Sequence, residues 1–225
     1  MIQKNYKQEF IRFLLDTGAL RFGDFPHKNG GTIPYDINAA ELKTGMQLAT
    51  LGKFYAKCYL DKIGRRQTVL YGPAYKGIPI AISTSFALSA SDLDIPFFFN
   101  RKEAKDHGEG GTFVGYLPKE KEDIVIVEDI ITFGKTLRES ACLLQSLSHV
   151  KVGGAIITVD SMEKGTDNRT FNEDIAEELG FPIHAVVTVH DIISYMEAYP
   201  RCATPEQLEK MKAYVKENCI KRRFS

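Results

Sequence analysis

The sequence carries no excess of charge of either sign. Its 29 lysines and arginines offset 29 aspartates and glutamates. Without a basic surplus there is no electrostatic footprint for nucleic acid or for an anionic membrane. The KRR of Lys221–Arg223 is a short, solvated basic end. Cysteine is sparse: Cys58, Cys142, Cys202 and Cys219 show no CxxC spacing and no nearby histidine pair, so they read as buried or free thiols in a reducing compartment. Long apolar runs are missing too. MIQKNYKQEF has no apolar signal core and no later run approaches a membrane span, which leads to the expectation of a soluble, cytoplasmic protein. There is no internal repeat and no low-complexity segment. A chain of 225 residues is then expected to form one domain, 1–225, with a substantial core.

What is present centres on IVIVEDIITFGKT, from Ile124 to Thr136. Ile124–Val127 is a run of β-branched residues with no polar face, which predicts a strand covered on both sides, as in a parallel α/β sheet. Glu128 and Asp129 end that strand, a turn with Thr132, Gly134 and Thr136 follows, and a helix is predicted from near Leu137. Ligands of open α/β sheets bind beyond the carboxyl ends of strands. A Gly/Thr turn entering a helix offers N–H groups, hydroxyls and a positive dipole end, which suit a phosphate. Paired carboxylates just before it suit sugar hydroxyls or a metal-bound sugar phosphate. The competing reading is a buried strand, an N-capped helix and two solvated acids.

Along the rest of the chain, Tyr6–Leu20 predicts an amphipathic helix ending near Gly18. Residues 21–40, rich in Gly, Pro, Asn and Asp, predict two short strands and turns that form a flap over the main sheet. Helical periodicity returns over Thr44–Ile63, Thr68–Tyr71 reads as a strand, and Ile78–Ser91 reads as a helix. Pro96–Asn100 predicts a buried strand, and polar Arg101–Gly111 a mobile loop. Beyond the central strand come a helix at Leu137–Leu147, a strand at Val152–Val159 and a helix at Phe171–Leu179. A strand at Ile183–Val189 and a helix at Ile192–Ala198 precede a last helix, which is announced by Thr204, Pro205 and Gln207 as a capping box. Strands alternating with helices from residue 68 onward predict βαβ units and a parallel sheet.

Three more stretches carry chemical groups. GPAYKGIPI, Gly72–Ile80, is a Gly- and Pro-bounded loop at a strand end that presents Lys76 to an anion, or else is an ordinary loop with a surface lysine. FNRKEAKDHGEGG, Phe99–Gly111, gathers Arg101, Lys102, Lys105 and His107 among three acids; by composition alone it is a solvated charged loop. FPHKNGGTIPYDIN, Phe25–Asn38, brings Lys28 into the flap. His149, His184 and His190 have no catalytic spacing and read as structural.

The central thirteen-residue pattern resembles the 5-phosphoribosyl-1-pyrophosphate (PRPP) signature of type I phosphoribosyltransferases, and the three further stretches resemble the orotate branch of that family. The resemblance spans about residues 6–200. It implies a type I phosphoribosyltransferase fold: a central, mostly parallel sheet flanked by helices, with a small N-terminal flap. It implies transfer of phosphoribose from PRPP to orotate, giving orotidine 5′-monophosphate and pyrophosphate in pyrimidine synthesis. Under it Glu128 and Asp129 hold the ribose hydroxyls, and Ile130, Ile131, Thr132, Phe133, Gly134, Lys135 and Thr136 cradle the 5-phosphate. Lys28, Tyr75 and Lys76 also face PRPP. Lys105, Arg101, Lys102 and His107 form the catalytic loop, about 101–113, which neutralises the leaving pyrophosphate across a homodimer interface; Lys105 is the most central. Magnesium is implied as cofactor, held by PRPP and water rather than directly by protein. On the base side Thr132 is joined by three departures from the pattern. Asp36 and Ile37 stand where the family has an aromatic pair, and Ser161 stands where it has an arginine, whereas Glu163 and Gly165 match. Two alternatives stay open: another nucleobase, or a non-catalytic regulator that senses PRPP or nucleotide.

Overall fold

The computed structural model describes residues 3–27, 30–105, 111–130, 134–147 and 150–220. Two helices open the chain, α1 (Gln3–Asp16) and, after the hairpin β1 (Leu20–Pro26) and β2 (Thr32–Ile37), α2 (Gly45–Lys62). Then follow β3 (Val69–Gly72), α3 (Gly77–Ser89), β4 (Phe97–Lys105), β5 (Gly111–Gly115), β6 (Asp123–Glu128), α4 (Lys135–Leu144) and β7 (Lys151–Asp160). The chain continues through α5 (Phe171–Leu179), β8 (Ile183–Thr188), α6 (Val189–Ala198) and α7 (Pro205–Asn218).

Six strands form the main sheet in the order β5-β4-β3-β6-β7-β8. All neighbours are parallel except β4 and β5. The alternation of side chains along β6 explains its continuous apolar run. Val125 and Val127 enter the core packed against α1, α2, α3, α6 and α7, while Ile124 and Ile126 enter a second core that holds Leu137 and Leu144 of α4 and Ile175 of α5. Both faces are covered, so no polar face is needed.

Local signals set the helix boundaries. Thr44, Thr170, Thr188 and Thr204 each begin a helix with a complete capping box, closed by Gln47, Glu173, Asp191 and Gln207. The expected Thr204 box is among them. The charged stretch after Asn100 is a correction. Arg101–Lys105, read from the sequence as loop, continues β4, and β5 returns beside it with Lys105 opposite Gly111. No hydrophobic period marks this stretch: the ladder with β5 pairs Asn100 with Phe113 and is taken up again only at Lys105 opposite Gly111, with an irregularity between. The strict strand–helix alternation expected from residue 68 also fails between β4 and β5.

The β1–β2 hairpin is separate from the main sheet. It buries Leu20, Tyr35 and Ile37 in the core, and Tyr35 meets Tyr214 of α7 edge-on at 6.4 Å. Gln207 Nε2 donates to Phe22 O at 3.4 Å and Lys210 pairs with Asp24 at 3.1 Å, so α7 braces the hairpin from outside. Among the described residues no helix is long and apolar enough to cross a membrane. All four cysteines are free thiols; burial pushes Cys58 and Cys219 up to about 12, which makes them inert.

Candidate active site

The sheet changes direction of growth at β3. The chain adds β4 on one side of β3 and later β6 on the other, which makes the carboxyl ends of β3 and β6 the switch point of the sheet, where open α/β sheets bind ligands. Glu128 and Asp129 lie at that point. They are not solvated acids: their exposures are 6% and 3%. Asp129 Oδ2 accepts from Lys76 Nζ at 3.1 Å and from the Ala39 N–H at 3.3 Å, while Oδ1 accepts from Thr158 Oγ1 at 3.4 Å. Tyr55 supports the pair from α2, with its hydroxyl 2.7 Å from Glu128 O and 2.6 Å from Thr158 Oγ1. Glu128 Oε1 accepts only the neighbouring Asp129 N–H, at 3.0 Å, among the bonds observed. Burial therefore pushes its carboxyl up to about 7; the Asp129 N–H works against the rise, the Asp129 charge adds to it, and Lys76 again opposes it. A buried acid that titrates near neutrality beside an ion-paired one is poised to accept hydroxyl donors.

Lys76 comes from the loop between β3 and α3, and that loop is clamped. A Cβ on Gly72 would sit 2.3 Å from Gly77 O, and one on Gly77 would sit 2.6 Å from Pro73 Cδ, so the backbone folds back on itself at van der Waals contact. Lys76 Nζ also donates to Asn38 Oδ1 at 3.1 Å, which ties the loop to the short 3-10 turn Ala39–Glu41 at the root of the hairpin. The Ala74–Tyr75 peptide is cis, and Tyr75 is 68% exposed. Lys102 Nζ lies 4.9 Å from the Tyr75 ring centre, a cation–π contact that brings the start of the charged segment over the Lys76 loop.

Under the hairpin lies a cavity of about 180 Å³ lined by residues that include Ile33, Asp36, Ile37, Ile130, Ser161 and Glu163. Cavities of ~150 Å³ admit a single aromatic ring. Asp36, Ile37 and Ser161, the three departures, thus meet at one place. Asp36 does not stand as a bare charge: Arg21, its cross-strand partner, pairs with it at 2.6 Å. Glu163 is held by Tyr214 Oη at 2.5 Å and lies 3.3 Å from His27 Nε2.

Below the acids, Gly134 adopts φ +61° and begins α4, a left-handed conformation that glycine takes without strain. The first N–H groups of α4 have no intrahelical acceptor, and Gly134 offers them no side-chain cap. Lys135 is exposed and lies 3.8 Å from Glu139 one turn on, and Thr136 is exposed. Lys28, His107, Ile131, Thr132 and Phe133 lie outside the described residues, as does the side chain of Lys105. The structure therefore brings together Lys76, Glu128 and Asp129, and separately Asp36, Ile37 and Ser161. Tyr75, Arg101 and Lys102 lie on the rim formed by the β3–α3 loop and β4.

Sequence reasoning missed Tyr55, Thr158 and Asn38. Tyr55 and Thr158 sit inside a helix and a strand with no local signal. Asn38 has one, as the cap of the 3-10 turn, its Oδ1 accepting from Ala40 N. The histidines read as structural are consistent with this site: His190 Nε2 bonds Ile220 O at 2.9 Å, and burial lowers the half-buried His184. His149 is outside the described residues.

Comparison with known proteins agrees with this geometry. The phosphoribosyl transferase domain model matches residues 38–184. An orotate phosphoribosyltransferase of Clostridium beijerinckii is 42% identical over 194 residues, 86% of this chain and 87% of the relative. One from Escherichia coli is 40% identical over 215 residues, 95% of this chain and 98% of its own. The crystal structure of the Francisella tularensis orotate phosphoribosyltransferase superposes with a TM-score of 0.78 at 31% identity, covering 94% of this chain and 99% of that one. With the buried acid pair at the switch point and the flap cavity beside it, the chain belongs to the orotate phosphoribosyltransferase family, on the phosphoribosyl transferase domain.

Proposed function

We propose that this protein transfers the 5-phosphoribosyl group of PRPP to orotate, releasing pyrophosphate. The observation that carries the reading is the buried pair Glu128–Asp129 beside Lys76, with the next residue, Ile130, in the wall of a ring-sized cavity. In the reaction the bond from the anomeric carbon to the pyrophosphate oxygen breaks and a bond to a ring nitrogen of the base forms. A transition state with oxocarbenium character needs the two partners held close, the leaving charge neutralised and water excluded. Glu128 and Asp129 take the ribose hydroxyls as acceptors. The start of α4, from Gly134, takes the 5-phosphate at its positive end. Lys76, Arg101 and Lys102, with Lys105 and His107, neutralise pyrophosphate. The β1–β2 hairpin, within 21–40 of a single catalytic domain, covers the base.

Magnesium would be held mainly by PRPP and water rather than directly by protein; among the described residues no cluster of three or more histidine, cysteine or acidic side chains could hold a metal by itself. When bound, magnesium would withdraw charge from the pyrophosphate. The exposed apolar residues Ile82 and Phe86 of α3, with Met46 of α2, support a homodimer in which the charged segment serves the partner. A cytoplasmic location fits the free thiols.

One observation favours a second reading, another base in the same reaction. The cavity wall carries Asp36 and Glu163, whose negative charge disfavours the carboxylate of orotate. The Arg21 pair removes most of that objection for Asp36. Pyrophosphate release from PRPP and magnesium, measured with orotate, uracil, adenine, hypoxanthine and no base, tests both readings. Orotate-only turnover is expected; turnover with another base alone overturns the substrate and keeps the chemistry.

A further inference from the structure

We propose that His27 recognises the base: its ring, backed by Glu163, donates to the carboxylate of orotate in the cavity under the hairpin. This role rests on the function proposed above.

The cavity wall is rich in acid and poor in groups that answer an anion. Asp36 and Glu163 both line it, and Ser161 offers only a neutral hydroxyl. Among the described residues of that wall, His27 is the one side chain able to carry a positive charge. Asp36 already has a counter-ion in Arg21 of the neighbouring strand, at 2.6 Å. Glu163 has His27, whose Nε2 lies 3.3 Å from Oε1, and the two side chains are only 17% and 22% exposed. The ring makes no other polar contact among the described residues.

Both partners are anchored. His27 directly follows β1, and the turn bonds its backbone twice: its N–H donates to Gly31 O and its carbonyl accepts from the Gly30 N–H, each at 3.0 Å. Gly30 and Gly31 permit that turn, at φ +87° and +77°. Glu163 is held from the opposite side. The Phe171 N–H donates to its carbonyl at 2.8 Å, and Tyr214 Oη donates to its Oε1 at 2.5 Å. Burial, and then the bond to Glu163, raises the Tyr214 pKa, so this hydroxyl stays a donor.

Counting donors gives the chemistry. A neutral imidazole has one N–H, and Glu163 takes it at Nε2. A second carboxylate can be met only by the imidazolium, which has an N–H on each nitrogen. With orotate in place the ring then bridges two carboxylates by charge-assisted bonds, which are stronger than neutral ones. The charged and titratable groups around the ring are Asp36 and Glu163 on the cavity side. On the α7 side, where His27 lines a second cavity, they are Lys164, Tyr214 and Glu217. Lys164 Nζ is taken by the Glu217 carbonyl oxygen and Tyr214 by Glu163, which leaves His27, among the described residues, to meet a new anion.

The test compares orotidine 5′-monophosphate with uridine 5′-monophosphate, which differ only by the base carboxylate. Their binding is measured by calorimetry on wild type, His27→Leu, His27→Gln and His27→Lys, beside steady-state kinetics on orotate. Wild type should prefer orotidine 5′-monophosphate. His27→Leu should weaken that nucleotide about ten- to a hundredfold, the range of one hydrogen bond to a charged group, and leave uridine 5′-monophosphate within about twofold. KM for orotate should rise by a larger factor than kcat falls. His27→Gln keeps a donor without the charge and should fall between, whereas His27→Lys restores a cation and should recover most of the preference. Should the leucine variant not fold, the glutamine variant carries the same comparison. Equal weakening of both nucleotides, as a merely structural histidine would give, would overturn the proposal. So would an unchanged preference in His27→Leu, no preference in wild type, or a lysine variant no better than leucine. Turnover of another base in place of orotate by wild type counts against the proposed function, while the nucleotide pair still decides the role of His27.

Discussion

Replacing Glu128 by glutamine should make the protein more stable at alkaline pH while disabling it. In the folded chain burial raises this carboxyl from 4.5 to about 7, a difference worth about 3 kcal/mol between the two protonation states. The sign follows from proton binding. Between pH 4.5 and about 7 the folded state holds a proton that the unfolded chain releases, so this group's contribution is fully present below 4.5 and is lost as pH rises through 7. Above pH 7 the folded protein carries a buried carboxylate next to that of Asp129. Glutamine stays neutral and keeps an oxygen for the Asp129 N–H that Glu128 now accepts at 3.0 Å. At pH 5, only half a unit above the ordinary value of 4.5, the advantage of Glu128→Gln over wild type should be below about 1 kcal/mol. At pH 8 the variant should be more stable by about 2–3 kcal/mol, a Tm increase on the order of 5–10 °C for a chain of this size. Urea unfolding at both pH values, without PRPP, reads the difference directly. An advantage of the same size at pH 5 and pH 8 would refute the reasoning, since packing rather than charge would then explain it. The same variant should lose PRPP affinity, because a neutral amide is a weaker acceptor for ribose hydroxyls than a carboxylate.

Ribose hydroxyls donating to Glu128 should lower its pKa, so PRPP binding at pH 6.5 is expected to release protons; calorimetry in buffers of different ionisation enthalpy measures this, and equal heats in all buffers would count against the assignment. Lys105→Ala should cut kcat far more than PRPP affinity, and equal turnover would remove Lys105 from the catalytic set. Asp36→Asn removes an acid from the cavity wall and should lower KM for orotate about threefold, as expected for one screened charge, leaving KM for PRPP unchanged; a rise in KM for orotate would overturn the charge argument. Gly72→Ala places a Cβ 2.3 Å from the Gly77 carbonyl oxygen and should destabilise the fold by about 2–3 kcal/mol, read by denaturant midpoint.

Much of this was written locally. The four β-branched residues of β6 admit no polar face, the threonine capping boxes mark where helices start, and the Gly/Pro-rich stretch 21–40 can only turn back on itself. Those features depend on neighbours a few positions away, and so the strand carrying Glu128, the α7 boundary and the hairpin are legible in the sequence alone. The acid pair, Lys76 and the base-side departures are legible as residues for the same reason, through motifs of fixed spacing. What the sequence could not express was pairing at a distance. Arg101–Lys105 extends β4 because the ladder with β5 is taken up again at Lys105 opposite Gly111, not because of any period of its own. Asp36 is tolerable at the cavity because register places Arg21 opposite it, a fact of hairpin alignment. Glu128 titrates near neutrality because Tyr55, Thr158 and the covered sheet exclude water around it, although its neighbours in sequence are the same as those of a solvated acid. Local chemistry determined which groups this protein has at its strand ends; only the tertiary structure decided their charges, because desolvation and counter-ions come from residues far away along the chain.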